Sequence, residues 1–594
     1  MKKKRWIAGV LCATCISTSA VLGNVETGKM GIANVQAETV AKSDSAKYSS
    51  YIYEYIADGE EVKIKEYIGK DKNVKIPKSI NGKKVTAIGA CAFYGNTKIK
   101  SVTLPKGITT IEEYAFTGCK NLGKMQIPST VTEFGKKALK STSWLNSKKK
   151  KSSLVIVNGI LIDGSSCGKA VTIPKGVKKI SSYAFANAKK LEAVKVQNGV
   201  KEIGSYAFEK CSKLKSVQIP KSVNSFGSSA FDETTWLNNM RKKNPLVIVN
   251  HVVVDGKSCK GEITIPEGVK VIGEGAFADY YYDDLDYAIL PQVTDIVISE
   301  GVTEIQSGAF YGCTKLKSIK LPDTINSIGD EAFFGCEVLE DLEIPENSLK
   351  LGENIVSTDC AWTKKQQEKS SLVIIGNTVV DGTACEGTVE IPEGVTTIGK
   401  YAFSGSKIEH IKIPGSVRKI RERAFSGCEQ LKDLEIPEGV MKIEEYAFFA
   451  CTALENVTMA DTVTSIDTAA FCSSAMKTVT LSNAITHIEN DTFSRCMFLQ
   501  QIILPDTVVK IGEHAFSNCC NMRQVVFSEN LQIIENGAFN LCGSLNEIIL
   551  PEGLSYLGES AFNLCTMLEK VSLPSDLSCQ KESVFYGTKW LEMQ

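Results

Sequence analysis

Hydrophobic positions recur along this chain with a period of 23 residues. One unit reads A-F-x-x-C-x-x-L-x-x-V-x-I-P-x-G-V-x-x-I-x-x-x, with Ile and Leu exchanging freely. Phe marks it at 93, 116, 185, 208, 231, 277, 310, 333, 403, 425, 448, 471, 493, 516, 539, 562 and 585. Most steps are 23 and two are 22; Leu139 and Val356 fill the column where Phe is missing, giving 19 units. A fixed period of this size, with Leu at short intervals, is the signature of a solenoid.

The apolar pattern predicts what each unit does. Leu214, Val217 and Ile219 alternate as half-buried strand residues do. Stacking places that segment beside its copies in a parallel sheet, about 4.8 Å from each neighbour. Pro220 ends the strand because it lacks an N–H for the ladder. Val223 and Phe226 turn inward again on the opposite side, in short strand or 3-10 segments, and Ala230-Phe231 closes the coil. The expected fold is therefore a mostly β repeat solenoid with little α-helix. Its spine is Phe116, Phe208, Phe310, Phe333, Phe425, Phe448, Phe493, Phe516, Phe539 and Phe562.

Ten units also carry a cysteine three residues after Phe: Cys119, Cys211, Cys313, Cys336, Cys428, Cys451, Cys496, Cys519, Cys542 and Cys565. In-register coils point these side chains the same way, about 4.8 Å apart at Cβ, beyond the usual disulfide range. The expectation is a column of free, buried thiols acting as small hydrophobes. Neither His nor carboxylates recur with the column, which argues against a metal.

The units fall into blocks of three, three, four and nine. The first three blocks end in a related segment with Trp144, Trp236 or Trp362, then LVIVNGILIDG, LVIVNHVVVDG or LVIIGNTVVDG. Two β-rich runs around Asn-Gly, Asn-His or Gly-Asn predict hairpins, near 144–170, 236–262 and 362–388. Leu139 to Phe185 spans two periods, so each hairpin replaces one coil. The run Lys148–Lys151 is expected in a solvated loop. Trp590-Leu591 begins a fourth such segment, which predicts either a minimal lid or a longer natural product. The whole array, 76–594, is expected as one body of about 22 coils, roughly 105 Å long at sheet spacing.

Ahead of the array, Lys2-Lys3-Lys4-Arg5 and the apolar run Trp6–Leu22 predict a secretory leader over 1–37, with Val35-Gln36-Ala37 fitting the cleavage rule. The CxxC of Cys12 and Cys15 falls inside it. Residues 38–75 are expected as a linker and an N-terminal β cap, since Ile52, Glu54 and Ile56 alternate with Tyr51, Tyr53 and Tyr55. No later stretch is long enough to span a membrane. Lys plus Arg is 68 and Asp plus Glu is 68, so no electrostatic footprint for nucleic acid appears.

Units such as "CSKLKSVQIPKSVNSFGSSAF" (211–231) and "CTKLKSIKLPDTINSIGDEAF" (313–333), the opening "ADGEEVKIKEYIG" and the W-L plus "LVIVNG" segments resemble the BspA-type leucine-rich repeat family of bacterial surface proteins. The resemblance covers essentially all of the chain after the leader. It implies a leucine-rich repeat right-handed superhelix, exported or at the cell surface of a bacterium. It also implies a role in adhesion or in binding an extracellular, host or matrix protein. "LPDTI" (321–325) and "LPDTV" (504–508) are repeat columns rather than sorting signals, since both lack the Gly and the apolar tail.

Candidate chemistry is sparse. His251, His410, His487 and His514 share no repeat column and are each expected as exposed or loop residues. No zinc spacing, phosphate-binding loop or dinucleotide loop occurs after the leader. No cofactor or metal is expected, and an enzyme, for instance a hydrolase, is the least supported class. Binding features are stronger. The middle residue of V-x-I should face outward, and that column reads Gln218, Lys320, Glu343, Lys412, Glu435, Thr458, Thr480, Ile503, Val526, Ile549, Ser572. Ile503, Val526 and Ile549 are three apolar residues in succession, read either as ordinary β propensity or as a docking strip with Asp433 and Glu435 as polar rim. The loop "ADYYYDDLDYAILP" (278–291) supplies 10 extra residues, and Tyr280, Tyr281, Tyr282 and Tyr287 suit recognition. Its acids also admit a calcium reading, and simple loop decoration stays open. The expected function is non-catalytic protein binding; the alternative is a structural or self-associating envelope component.

Overall fold

In the computed structural model the described residues are 50–56, 61–80, 82–278, 292–344 and 350–594. The expected leader and most of the tyrosine-rich loop lie outside them. Asp44–Gln594 forms one compact unit, a β-solenoid of about 21 turns with parallel sheets and little helix.

Each turn has three sides, and in most turns each side is tied to the next turn by its own ladder. The first carries the V-x-I motif: Ala193–Lys195 pairs in parallel with Ser216–Gln218, Val194 opposite Val217. The second carries two-residue strands, such as Lys179–Ile180, Glu202–Ile203 and Ser225–Phe226, again in register. The third is the A-F corner. There the N–H groups of Tyr206, Phe208 and Lys210 donate to the carbonyls of Ser228, Ala230 and Asp232 at 2.9, 2.8 and 3.0 Å. Tyr206 and Lys210 take φ of 59° and 58°, and the same bracketing recurs at Tyr183 and Asn187, Tyr446 and Ala450, Asp491 and Arg495. Left-handed backbone costs a non-glycine residue roughly 1–2 kcal/mol. The corner ladder, which needs alternate N–H groups aimed along the array, offsets that cost in every turn.

The interior is a stack of rings. From Phe403 to Phe585 nine phenylalanines lie face to face, with centroids 4.9, 4.9, 5.1, 5.7, 5.4, 5.1, 5.2 and 5.6 Å apart. Phe208 stacks on Phe231 at 5.3 Å and Phe310 on Phe333 at 5.4 Å. Beside the rings lies the cysteine column. Each thiol donates to the carbonyl of the Phe one turn earlier: Cys211 to Phe185 at 3.1 Å, Cys451 to Phe425 at 3.3 Å, Cys542 to Phe516 at 3.2 Å. Ser474 takes the same slot and donates to Phe448 at 3.0 Å. In these turns the slot holds a small side chain with a donor, which is more than a small hydrophobe supplies, whereas after Phe185 it holds Ala188. All ten column cysteines are free and buried. Burial pushes the Cys119 thiol up to about 11 and the Cys211 thiol to about 12, so neither is a ready nucleophile.

The block ends contain helices that the sequence reading did not anticipate. Ser143–Lys151, Thr235–Lys243 and Ala361–Gln367 are α-helical, and Lys589–Glu592 begins the same way. Lys148–Lys151 thus ends a helix rather than forming a loop. The cause is a cap. Thr142 stands three residues after Leu139, in the cysteine slot, donates to the Leu139 carbonyl at 2.9 Å and accepts from the Leu145 N–H at 3.1 Å. Thr234 and Thr588 do the same. The lysines at the helix C-terminus suit the helix dipole. An antiparallel hairpin follows, Val155–Val157 with Ile160–Asp163, turning through Asn158 and Gly159 at φ of 53° and 78°. Gly164 then occupies the Phe column; a Cβ there would overlap the ring of Phe185, and Gly256 and Gly382 stand likewise against Phe277 and Phe403. The hairpin coil is how the ring stack restarts.

The expected 105 Å length is a contour, not an end-to-end distance, because the array curves back on its own beginning. Lys65 of the N-terminal hairpin lies 2.5 Å from Glu489, Lys510 lies 2.9 Å from Glu66, and the Thr486 hydroxyl donates to the Tyr53 carbonyl at 3.3 Å. The side with two-residue strands is on the inside of the curve: there Lys400 reaches Glu331 across three turns at 2.6 Å. His487, expected to be exposed, is buried in this contact, 3.2 Å from Glu489 and 3.0 Å from the Thr486 hydroxyl.

Two outcomes follow from this packing. Phe516→Ala, which removes a fully buried ring between Phe493 and Phe539, costs about 3–5 kcal/mol, measured by hydrogen exchange across the last block in denaturant. The contact between the ends has a pH window. Burial alone would raise Glu54 and Glu489, but Lys63 beside the first, and His487 with Lys65 beside the second, hold both below the usual carboxylate range. Burial would lower Lys442 and Lys510, but Asp467 and Glu66 respectively raise them. Depressed carboxyls stabilise above their unfolded pKa and lose that contribution as pH falls; raised lysines stabilise below theirs and lose it as pH rises. Protection of residues 61–67, corrected for intrinsic exchange, is therefore highest between about pH 5 and 10 and falls on either side.

Candidate interaction surface

The V-x-I sheet turns one residue per strand inward and the next outward. In Gln501–Ile503, Gln524–Val526 and Glu547–Ile549 the middle residue is buried and the flanking two are exposed. Ile503 is 60% exposed, Val526 41% and Ile549 66%. Ile503 pairs with Val526 in register, and Ile549 lies opposite Ser572 on the next turn. The ladder on this side is interrupted between Thr478–Thr480 and Gln501–Ile503. A groove of about 330 Å³ opens there, lined by Thr480, Leu481, Ile503 and Pro505 among others. The apolar strip therefore has a recess at one end, the arrangement in which a partner's side chain can be held against a β surface.

Asp433 and Glu435 are exposed on the same sheet, but three turns from Ile503. Asp433 accepts from the Asn456 amide at 2.9 Å, and Asn456 accepts from the Thr478 hydroxyl at 2.8 Å. Glu435, Thr458 and Thr480 stand in one outward column that leads to the strip. The two acids are thus the far end of a polar ladder and do not touch the apolar residues.

Three further apolar residues went unread in the sequence: Met497, Phe498 and Met567, exposed at 48%, 53% and 50%. They sit in C-x-x-L, where the chain enters this sheet. The signal was present, since the two intervening residues are Ser-Lys after Cys211 and Thr-Lys after Cys313, but Met-Phe after Cys496.

Tyr280, Tyr281, Tyr282 and Tyr287 lie outside the described residues. The flanks are described, and they stay in register: Phe277 stacks on Phe310 at 4.9 Å, and Lys260–Ile265 pairs with Gln292–Ile298. The array is thus in register on both sides of residues 279–291. Of the remaining histidines, His251 sits in a hairpin turn with Nδ1 2.7 Å from the Gly268 carbonyl, His410 is exposed and His514 is half-buried. Among the described residues no group of three or more His, Cys, Asp or Glu has the arrangement of a metal site. Among them too, no helix is long and apolar enough to cross a membrane.

Comparison with known proteins agrees with this architecture. The family model described as BspA type leucine rich repeat region matches residues 64–162, 163–282, 287–383, 373–500 and 486–593. No curated protein matches. Among solved structures, a leucine-rich repeat protein from Bacteroides ovatus is 23% identical, covering 88% of this chain and 98% of that one, with a TM-score of 0.25. A leucine rich cell surface protein from Faecalibacterium prausnitzii is 20% identical, covering 90% and 96%, with a TM-score of 0.21. A leucine-rich repeat protein from Eubacterium ventriosum is 17% identical, covering 89% and 95%, with a TM-score of 0.27.

Proposed function

The chain belongs to the BspA type leucine-rich repeat family, and we propose that it is an exported bacterial surface protein that binds another protein without catalysis. The partner is an extracellular, host or matrix protein, held on the outward side of the V-x-I sheet. Ile503, Val526 and Ile549 are the anchor. Asp433 and Glu435 extend the footprint, and the tyrosine-rich loop supplies a second contact. The observation that carries this reading is the strip itself. Three consecutive outward positions on neighbouring turns expose large aliphatic side chains, where the same column elsewhere carries Lys, Glu, Gln, Thr and Ser and a single isolated aliphatic, Val297. A solenoid presents such a column on a rigid, regularly spaced surface, which keeps the ordering cost of binding low.

A panel of purified matrix and cell-surface proteins, screened against the immobilised chain without its leader, identifies the partner. Ile503→Lys, Val526→Lys and Ile549→Lys together lower affinity for it by about 10- to 100-fold, as expected for loss of an apolar hot spot. The three positions are exposed, so thermal unfolding stays where it is in the parent. Unchanged affinity removes the strip from the interface.

A further inference from the structure

The three hairpin coils leave three equivalent notches, and they are filled differently. A D-G corner is shorter than an A-F corner; the ladder crosses it through the N–H of Gly164, Gly256 or Gly382, donating to the carbonyl of Ala184, Ala276 or Ala402. In the second notch the space is taken by ion pairs. Arg241 makes a two-point contact with Asp255, at 2.9 and 2.5 Å, and Lys257 pairs with Asp232 at 2.7 Å. In the third, Gln367 donates to Thr383 at 2.8 Å, and Thr383 donates to Asp381 at 2.8 Å.

The first notch keeps the helix-to-corner contact, Lys149 to Asp163 at 3.1 Å and to Ser165 at 2.8 Å, but changes the rest. Lys140 stands where the second has Asp232, and Ser165 stands where it has Lys257. The filling pair is gone, and a cavity of about 520 Å³ remains, within the range of small-molecule sites. Its lining has five lysines against two carboxylates. Asp163 is engaged by Lys149, and Glu209 lies 3.3 Å from Lys210. Lys136, Lys137 and Lys140 are the excess cations. One wall is the stacked pair Tyr183–Tyr206, centroids 4.8 Å apart, with the Lys136 ammonium 5.0 Å from the Tyr183 ring centre. Leu139, Leu145 and Ile162 supply an apolar part.

We propose that this notch binds a small organic anion: a carboxylate, sulfate or phosphate group carried on a body of monosaccharide size. The anion lies among Lys136, Lys137 and Lys140, and the body rests against the tyrosine and aliphatic walls. Removal from water strengthens such charge-assisted contacts. The site is separate from the apolar strip and does not depend on it.

The test is calorimetric titration of the full chain after its leader, at low salt, with glucuronate, glucose 6-sulfate, glucose 6-phosphate and neutral glucose. At least one anionic sugar binds saturably, glucose does not, and the tightest of the three names the anion. Lys140→Asp with Ser165→Lys, which installs the residues of the second notch, weakens that binding by about tenfold or more. Lys136→Gln with Lys140→Gln does the same without adding a charge, and covers the case in which the first variant misfolds. Absence of binding by all three anionic sugars, equal binding by glucose, or unchanged affinity in both folded variants overturns the proposal.

Discussion

A coil of this solenoid makes most of its backbone hydrogen bonds with its neighbours, beyond the turn bonds at its own corners. Its N–H and C=O groups are paired on all three sides by the coils above and below, so the register between turns decides everything else. Buried polar groups left unpaired would each cost about 1–3 kcal/mol. A slip of one residue would also turn each inward Val and Ile to solvent and take every Phe off its neighbour. The spacing of 23 residues is that register written along the chain. It explains why extra residues after Ala278 are tolerated: they fall at a corner of the sequence period, and beyond them Ile263 still pairs with Ile296 and Ile265 with Ile298. It explains the thiols as well, since each of the ten column cysteines reaches the Phe carbonyl of the turn before.

Variation in the array is concentrated where the register is restarted. At the first two restarts threonine in the cysteine slot caps the helix; at all three the helix leads to a hairpin, and a glycine makes room for the first ring of the next block. These coils interrupt the V-x-I sheet, and the inner ladder also breaks before each hairpin and resumes from it, as Ile160–Asp163 pairing with Lys179–Ile180 shows. The inner side carries the charged residues that meet across several turns, and the outer side carries the apolar strip. The same device therefore maintains the stack, sets apart the two surfaces and leaves the notch between the first two blocks.

The periodic features were legible in the sequence because identical demands repeat in every turn. The ring column, the parallel sheet, the outward position of Ile503, Val526 and Ile549, and the hairpins around Asn158-Gly159 are of this kind. What escaped reading depends on local or long-range geometry. The left-handed residues flanking each Phe are Gly in some turns, as at Gly118, Gly312 and Gly427, but Tyr, Lys, Asn, Asp, Ser or Leu in others, so composition marks only part of them. The helices at Trp144 and Trp236 are short and lysine-rich, with a weak apolar stripe, and only the capping threonine announces them. Burial of His487 comes from a hairpin more than 400 residues away in the sequence, which no local pattern encodes. The strip was visible as a column, but Phe498 and Met567 lie in the corner segment, where the repeat constrains nothing.

Register along the whole array is tested most directly by the thiols. Among the described residues Cys91 and Cys520 are exposed and the ten column cysteines are buried and unpaired. Labelling the native protein with a thiol reagent and mapping the sites by mass should mark Cys91 and Cys520, with the column reacting only as denaturant unfolds the coils. Column thiols that label as fast as Cys520 in the native protein, or that are found joined in disulfides, would contradict the in-register stack on which the account rests.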